Sequence, residues 1–204
     1  MSLALAVNEY EEDYDPPELL LVKQSAKLQR LYTTKDIEAL PEGKRAELID
    51  GRMYMMASPN RDHQLIVQFF SYWLQSYINS KNGKCIVMPS PFALYVKDDL
   101  HNYFEPDIMV ICDRDKISMR GVEDAPDLVV EVISKSSATK DVSMKYHKYH
   151  EMGVREYWVI DPMRKITTVH NFEKGLVEEF LFEDDAHSFL FEDFHAKVAE
   201  ALIL

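Results

Sequence analysis

Glu131 stands in the middle of an otherwise apolar run, Asp127-Leu-Val-Val-Glu131-Val-Ile-Ser134. The branched residues on both sides of it specify a strand that is apolar on both faces, the pattern of a central strand covered from each side. A lone carboxylate buried there costs several kcal/mol or is forced to neutralise, so the fold must bring it a partner. Glu105-Pro106-Asp107, entering the apolar stretch Ile108-Met-Val-Ile111, poses the same problem. A helix-forming segment with lysines follows, Thr139-Lys-Asp141-Val-Ser-Met-Lys145-Tyr-His-Lys148-Tyr149. Two acids on neighbouring strands make a site for a hard divalent cation, Mg²⁺ or Mn²⁺, and a lysine beside them can face a phosphate. The pattern points to metal-dependent hydrolysis of a phosphodiester.

Period-two alternation sets Glu105, Asp107, Met109 and Ile111 on one face of a single strand, and Val129, Glu131 and Ile133 on one face of the next. Taken singly, each acid could equally be a strand-end residue in solvent or paired with a lysine. The helix makes the bland reading harder for the set. At about 100° per residue from Asp141, residues Val142, Tyr146, Tyr149 and Met152 define a buried stripe, and Lys145, at about 40°, falls inside it. An Asp141–Lys145 pair on a solvent face is worth only about 0.3–0.5 kcal/mol. A lysine inside the stripe needs acids to meet, and Glu131 is the nearest candidate. Glu47, where a strand leaves the first helix, is a candidate third ligand. His147 and His150 fall on the exposed side of the helix, and His63 reads as a cap or core histidine. No GxSxG, glycine-rich phosphate loop or CxxC is present, which removes support for serine hydrolase, nucleotide-binding and zinc-finger readings.

A chain of 204 residues supports one domain with a full core. The division expected is an acidic, partly ordered extension over 1–31, with a helix near 18–27, followed by a single domain over 32–204. The net charge of −12 sits awkwardly with a nucleic-acid partner, but its distribution softens the objection. Residues 1–27 hold six acids and two bases, and 171–204 hold nine acids and two bases, so the two ends supply −11. Four lysines and one aspartate lie between Lys135 and Lys148. A basic helix on a near-neutral middle suits transient phosphate contact, with Lys148 at the groove edge. No apolar run approaches the roughly 18 residues that span a membrane, and the N-terminus lacks the basic region of a signal peptide. With only two cysteines, Cys85 and Cys112, each expected inside a strand, a disulfide framework is not expected. These features suit a cytoplasmic protein without membrane attachment.

Along the chain, a short helix is expected from Thr33 through Leu40, then a hairpin over 47–56 turning at Asp50-Gly51. A helix follows over 62–79, then strands over 84–88, 92–96, 104–112 and 128–134. A second helix over 137–152 closes at Gly153. Strands at 156–160, 166–171 and 177–182 follow, with a helical tail over 191–204. This order gives a mixed α/β (α+β) architecture, a central mixed sheet flanked by helices.

The ordered set Glu47-Leu-Ile-Asp-Gly51, Met56-Ala-Ser-Pro-Asn60 with His63, Glu105-Pro-Asp107, Asp127 to Ser134, Asp141 with Lys145 and Tyr149, and Gly153-Val-Arg-Glu-Tyr-Trp-Val-Ile-Asp-Pro162 resembles the Uma2 family. The resemblance covers about residues 32–182. That family is similar to the PD-(D/E)xK nuclease superfamily, whose pattern maps onto Pro106-Asp107 and Glu131-x-Ile133. It implies a restriction endonuclease-like core, with Asp107, Glu131 and Lys145 as catalytic residues. It further implies metal ligation by Asp107, Glu131 and Glu47, with Asp141 and Tyr149 in support. The departure is Ile133, where the superfamily has lysine; the resemblance implies that Lys145 on the helix replaces it. The substrate implied is nucleic acid, DNA first, and a homodimer is compatible with the class. A catalytically silent binding module on the same fold, or a phosphoesterase acting on small substrates, are the competing readings.

Overall fold

Residues 30–134 and 139–203 are described by the structure, a computed structural model, with side chains from 142 onward in the second stretch. The acidic lead-in with its expected helix, Lys135 and the Asp141 side chain lie outside the described residues. Leu31–Leu204 is one compact unit.

The first elements follow local signals. Thr33 precedes α1 (Thr34–Glu38), and the Asp36 carboxylate accepts from the Thr33 N–H at 2.8 Å. Strands β1 (Ala46–Ile49) and β2 (Arg52–Met55) form the expected hairpin. Its turn places Asp50 and Gly51 at φ 49° and 72°, the left-handed pair that an Asp-Gly turn supplies. Helix α2 (Arg61–Ser80) is capped by Asn60, whose side chain accepts from the His63 N–H at 2.9 Å. His63, Ile66, Phe70, Leu74 and Ile78 form its buried stripe at helical spacing.

The remaining elements are β3 (Ile86–Pro89), β4 (Leu94–Tyr95), β5 (Tyr103–Phe104), β6 (Ile108–Ile111), β7 (Leu128–Val132), α3 (Thr139–Met152), β8 (Glu156–Asp161), β9 (Ile166–Asn171), β10 (Leu176–Leu181), β11 (Ala186–His187), β12 (His195–Ala196) and α4 (Val198–Ala201). One sheet has the order β10-β9-β8-β7-β6-β3 and a smaller one the order β2-β1-β5-β4. In the larger sheet only β7 and β8 are parallel, joined through α3; every other pair is antiparallel. The mixed sheet flanked by helices is as the sequence indicates.

The two faces of the large sheet bury different things. Ile108, Val110, Leu128, Val130 and Trp158 pack against α2. Met109, Ile111, Val129, Tyr157 and Val159 pack with Tyr149 of α3 and with Ile49, Leu94 and Phe104 of the small sheet. Alternation therefore assigns the β6 and β7 side chains correctly.

Three expectations are corrected. The strand expected over 104–112 is two strands in different sheets, β5 and β6, broken at Glu105-Pro106-Asp107. Pro106 has no N–H to donate to a ladder; the Glu105 N–H goes to the Glu47 side chain and the Asp107 carbonyl accepts from Ser90. The tail is helical only over Val198–Ala201, because β11 and β12 pair before it. Cys85 and Cys112 are joined in a disulfide. They lie just beyond β3 and β6, whose register pairs Ile86 with Ile111, so the next pair outward is the two cysteines.

Candidate active site

The β6–β7 register pairs Ile108 with Val130, and its continuation sets Asp107 opposite Glu131. Both are buried and both line a cleft of about 250 Å³. Its wall also includes Arg45, Glu47, His63, Lys145 and the 55–59 segment.

Each of the two acids binds the protein through a single oxygen. The Oδ2 atom of Asp107 accepts from the Val132 N–H at 2.8 Å and lies 3.2 Å from Nε2 of His63. The Oε1 atom of Glu131 accepts from Nζ of Lys145 at 3.0 Å and from the Tyr149 hydroxyl at 2.7 Å. Asp107 Oδ1 and Glu131 Oε2 have no partner among the described residues, and neither belongs to the fully buried, unsatisfied side-chain atoms.

Lys145 is only 7% exposed and bridges two sheets: its Nζ is 3.0 Å from Glu131 and 2.8 Å from Oε2 of Glu47. Burial pulls its pKa down, but the charges of Glu131 and Glu47 outweigh burial and hold it well above its usual value. Burial pushes the Glu131 carboxyl up to about 8; Lys145 and Tyr149 oppose this, while the charges of Asp107 and Glu47 add to it. Tyr149 is held well above its ordinary value, first by burial and then by the neighbouring acids, so it stays a donor.

The structure thus brings together Asp107, Glu131, Lys145, Glu47 and Tyr149. Both oxygens of Glu47 have a partner, Oε2 the Lys145 ammonium and Oε1 the Glu105 N–H, which makes it the anchor of the lysine. Lys148 turns away from the cleft: its Nζ lies 2.6 Å from Asp50 and 3.6 Å from Glu151. His147 and His150 are exposed, as the helical geometry indicates.

Sequence reasoning reads His63 as a cap or core residue, which its burial on the inner stripe of α2 bears out, but it does not foresee the contact with Asp107. Its contact with Asp107 joins residues 44 positions apart, which no local pattern encodes; the signal available was its place one turn before Ile66 on the buried stripe of α2. It also missed Arg45, whose Nε donates to Oε2 of Glu105 at 2.6 Å, while the Tyr103 hydroxyl donates to Oε1 at 2.9 Å.

A hard divalent cation needs oxygen donors. Among the described residues no group of three His, Cys, Asp or Glu side chains is arranged to hold one. Mg²⁺ keeps several waters and takes one or two carboxylates from a protein. The unengaged oxygens of Asp107 and Glu131 are two hard donors of that kind, so the residues fit.

The chain matches the model of the family Uma2, described as "Putative restriction endonuclease", over residues 28–199. Two uncharacterized proteins of Synechocystis sp., slr1290 and sll1609, are each 29% identical to it, over 116 and 122 residues. These matches span 56% and 58% of this chain and 59% and 67% of the relatives' own lengths. The crystal structure of a protein from Anabaena variabilis, described as a "putative nuclease belonging to DUF820", superposes with a TM-score of 0.69 at 18% identity. The superposition covers 83% of this chain and 96% of that one, which establishes a shared fold. With the family model spanning most of its length, the chain belongs to the Uma2 family.

Proposed function

We propose that this chain is a metal-dependent nuclease that hydrolyses phosphodiester bonds of nucleic acid, DNA first. The observation that carries the reading is the pair of half-engaged carboxylates, Asp107 and Glu131, facing one cleft beside a buried, charged lysine. Asp107 Oδ1 and Glu131 Oε2 would hold Mg²⁺ or Mn²⁺. Such an ion, when bound, lowers the pKa of a coordinated water and offsets charge that grows on the phosphoryl oxygens. Lys145 contributes a fixed positive charge at the cleft wall, where it can orient the attacking water or pair with a phosphate oxygen. Glu47 and Tyr149 hold that ammonium and the Glu131 carboxylate in place, so little reorganisation is needed at the moment of reaction.

The test is cleavage of plasmid, single-stranded DNA and RNA with Mg²⁺, Mn²⁺ or EDTA. Cation-dependent cleavage lost in Asp107→Asn and Glu131→Gln is the expected result.

One observation favours a second reading, a catalytically silent binding module. Arg45, Lys145 and Lys148 are each already paired with acids, so the region offers few uncompensated cations to a polyanion. Absence of cleavage for every substrate and cation would select it.

A further inference from the structure

The geometry points to His63 as the positioning residue for Asp107, fixing which carboxylate oxygen faces the cleft; this rests on the nuclease reading above. Nε2 of His63 lies 3.2 Å from Oδ2 of Asp107; a carboxylate only accepts, so in this pairing the proton between them belongs to the ring. The Val132 N–H donates to the same oxygen. Two donors on one oxygen, one from α2 and one from β7, stop the carboxylate from swinging about its Cβ–Cγ bond. Oδ1 is thereby left as the oxygen without a partner among the described residues, as Oε2 of Glu131 is, and both residues line the cleft.

His63 is itself held from behind. Its backbone N–H is capped by Asn60 at the first turn of α2. Its other ring nitrogen, Nδ1, is buried without a hydrogen-bond partner among the described residues. A histidine kept only for packing would satisfy both nitrogens or be replaced by an apolar residue. This one is satisfied solely on the side of the candidate ligand, which is the arrangement of a group that orients another.

Mn²⁺ titration of the full chain by calorimetry, with thermal unfolding in parallel, tests this through His63→Leu and His63→Gln. Glutamine carries an amide N–H at a similar reach and leucine does not. The expected result is Mn²⁺ affinity about 10–100-fold weaker in His63→Leu, as loss of an outer-shell partner typically gives, with His63→Gln within a few-fold of wild type. The melting temperature of His63→Leu without divalent cation should stay level or rise. Equal affinity in wild type and His63→Leu would overturn the inference and leave the nuclease reading intact. Folded His63→Gln as weak as His63→Leu would overturn it in favour of direct ligation by the ring. A large loss of melting temperature in both variants would make His63 a fold-keeping residue and overturn it as well. Wild type that folds but binds no Mn²⁺ would overturn both readings together.

Discussion

Asp107 and Glu131 come from segments separated by 24 positions yet face one another across the β6–β7 pair, each holding the protein with one oxygen. The relationship makes the state of one acid depend on the charge of the other. Burial first, and then the charges of Asp107 and Glu47, push the Glu131 carboxyl up to about 8 from an ordinary 4.5.

The sign of its effect on stability follows. Between about pH 4.5 and 8 the folded chain retains a proton that the unfolded chain has released, so stability falls as pH rises through that window. Glu131→Gln removes the titration and can still accept from Lys145 and Tyr149. Without divalent cation, its melting temperature should exceed that of wild type by a margin that grows from pH 5 to pH 8. A margin independent of pH would show that Glu131 is not the group responsible.

Lys145→Met should be severe in two separate measurements. Turnover should fall on the order of 10²-fold or more, as removal of a positioned electrostatic group does. Stability should fall by about 3–5 kcal/mol in denaturant titration, because Glu47 then lies buried without its counter-charge. Adding Glu47→Gln should restore part of the stability and none of the activity. Full stability in Lys145→Met alone would contradict the bridging role.

Lys148→Met should change little. Its ammonium is engaged by Asp50 at the surface, an ion pair worth up to about 1 kcal/mol. The salt dependence of substrate binding should match that of wild type; a flatter slope would return Lys148 to the phosphate contacts.

Glu156 provides the contrast of an acid that is wholly structural. It is fully buried and accepts from Trp158 Nε1 and Ser188 Oγ through one oxygen, and from the N–H groups of Phe189 and Leu190 through the other. Glu156→Gln turns a donor toward donors, so it should cost on the order of 2–3 kcal/mol by chemical unfolding. Mn²⁺ affinity, measured by calorimetry, should be unchanged.

Much of this arrangement is legible in sequence because it is written in short periods. The burial of Glu131 follows from the valines around it, and the inward position of Lys145 from helical spacing with Val142 and Tyr149. The Asp50-Gly51 turn announces its hairpin. What sequence does not convey is which distant segments pair. Cys85 meets Cys112 only because β3 and β6 align in one register, and the acid at 107 leaves its strand because Pro106 breaks the ladder between two sheets. His63 is hidden for the same reason: its partner lies on another element, and its own helix shows only that it faces inward. The ion pair of Lys148 with Asp50 is hidden in the same way, because Asp50 belongs to the hairpin turn, far off in the chain.

Lys145 fastens Glu47 of the small sheet to Glu131 of the large one. The ammonium proposed to serve the chemistry is therefore also a clasp between two layers, and whatever draws it off, a phosphate oxygen included, should loosen that clasp. Amide exchange in β1 and β2 should quicken when the lysine is engaged elsewhere and slow when it returns. The hairpin becomes a gauge of what occupies the cleft, read from its own backbone amides.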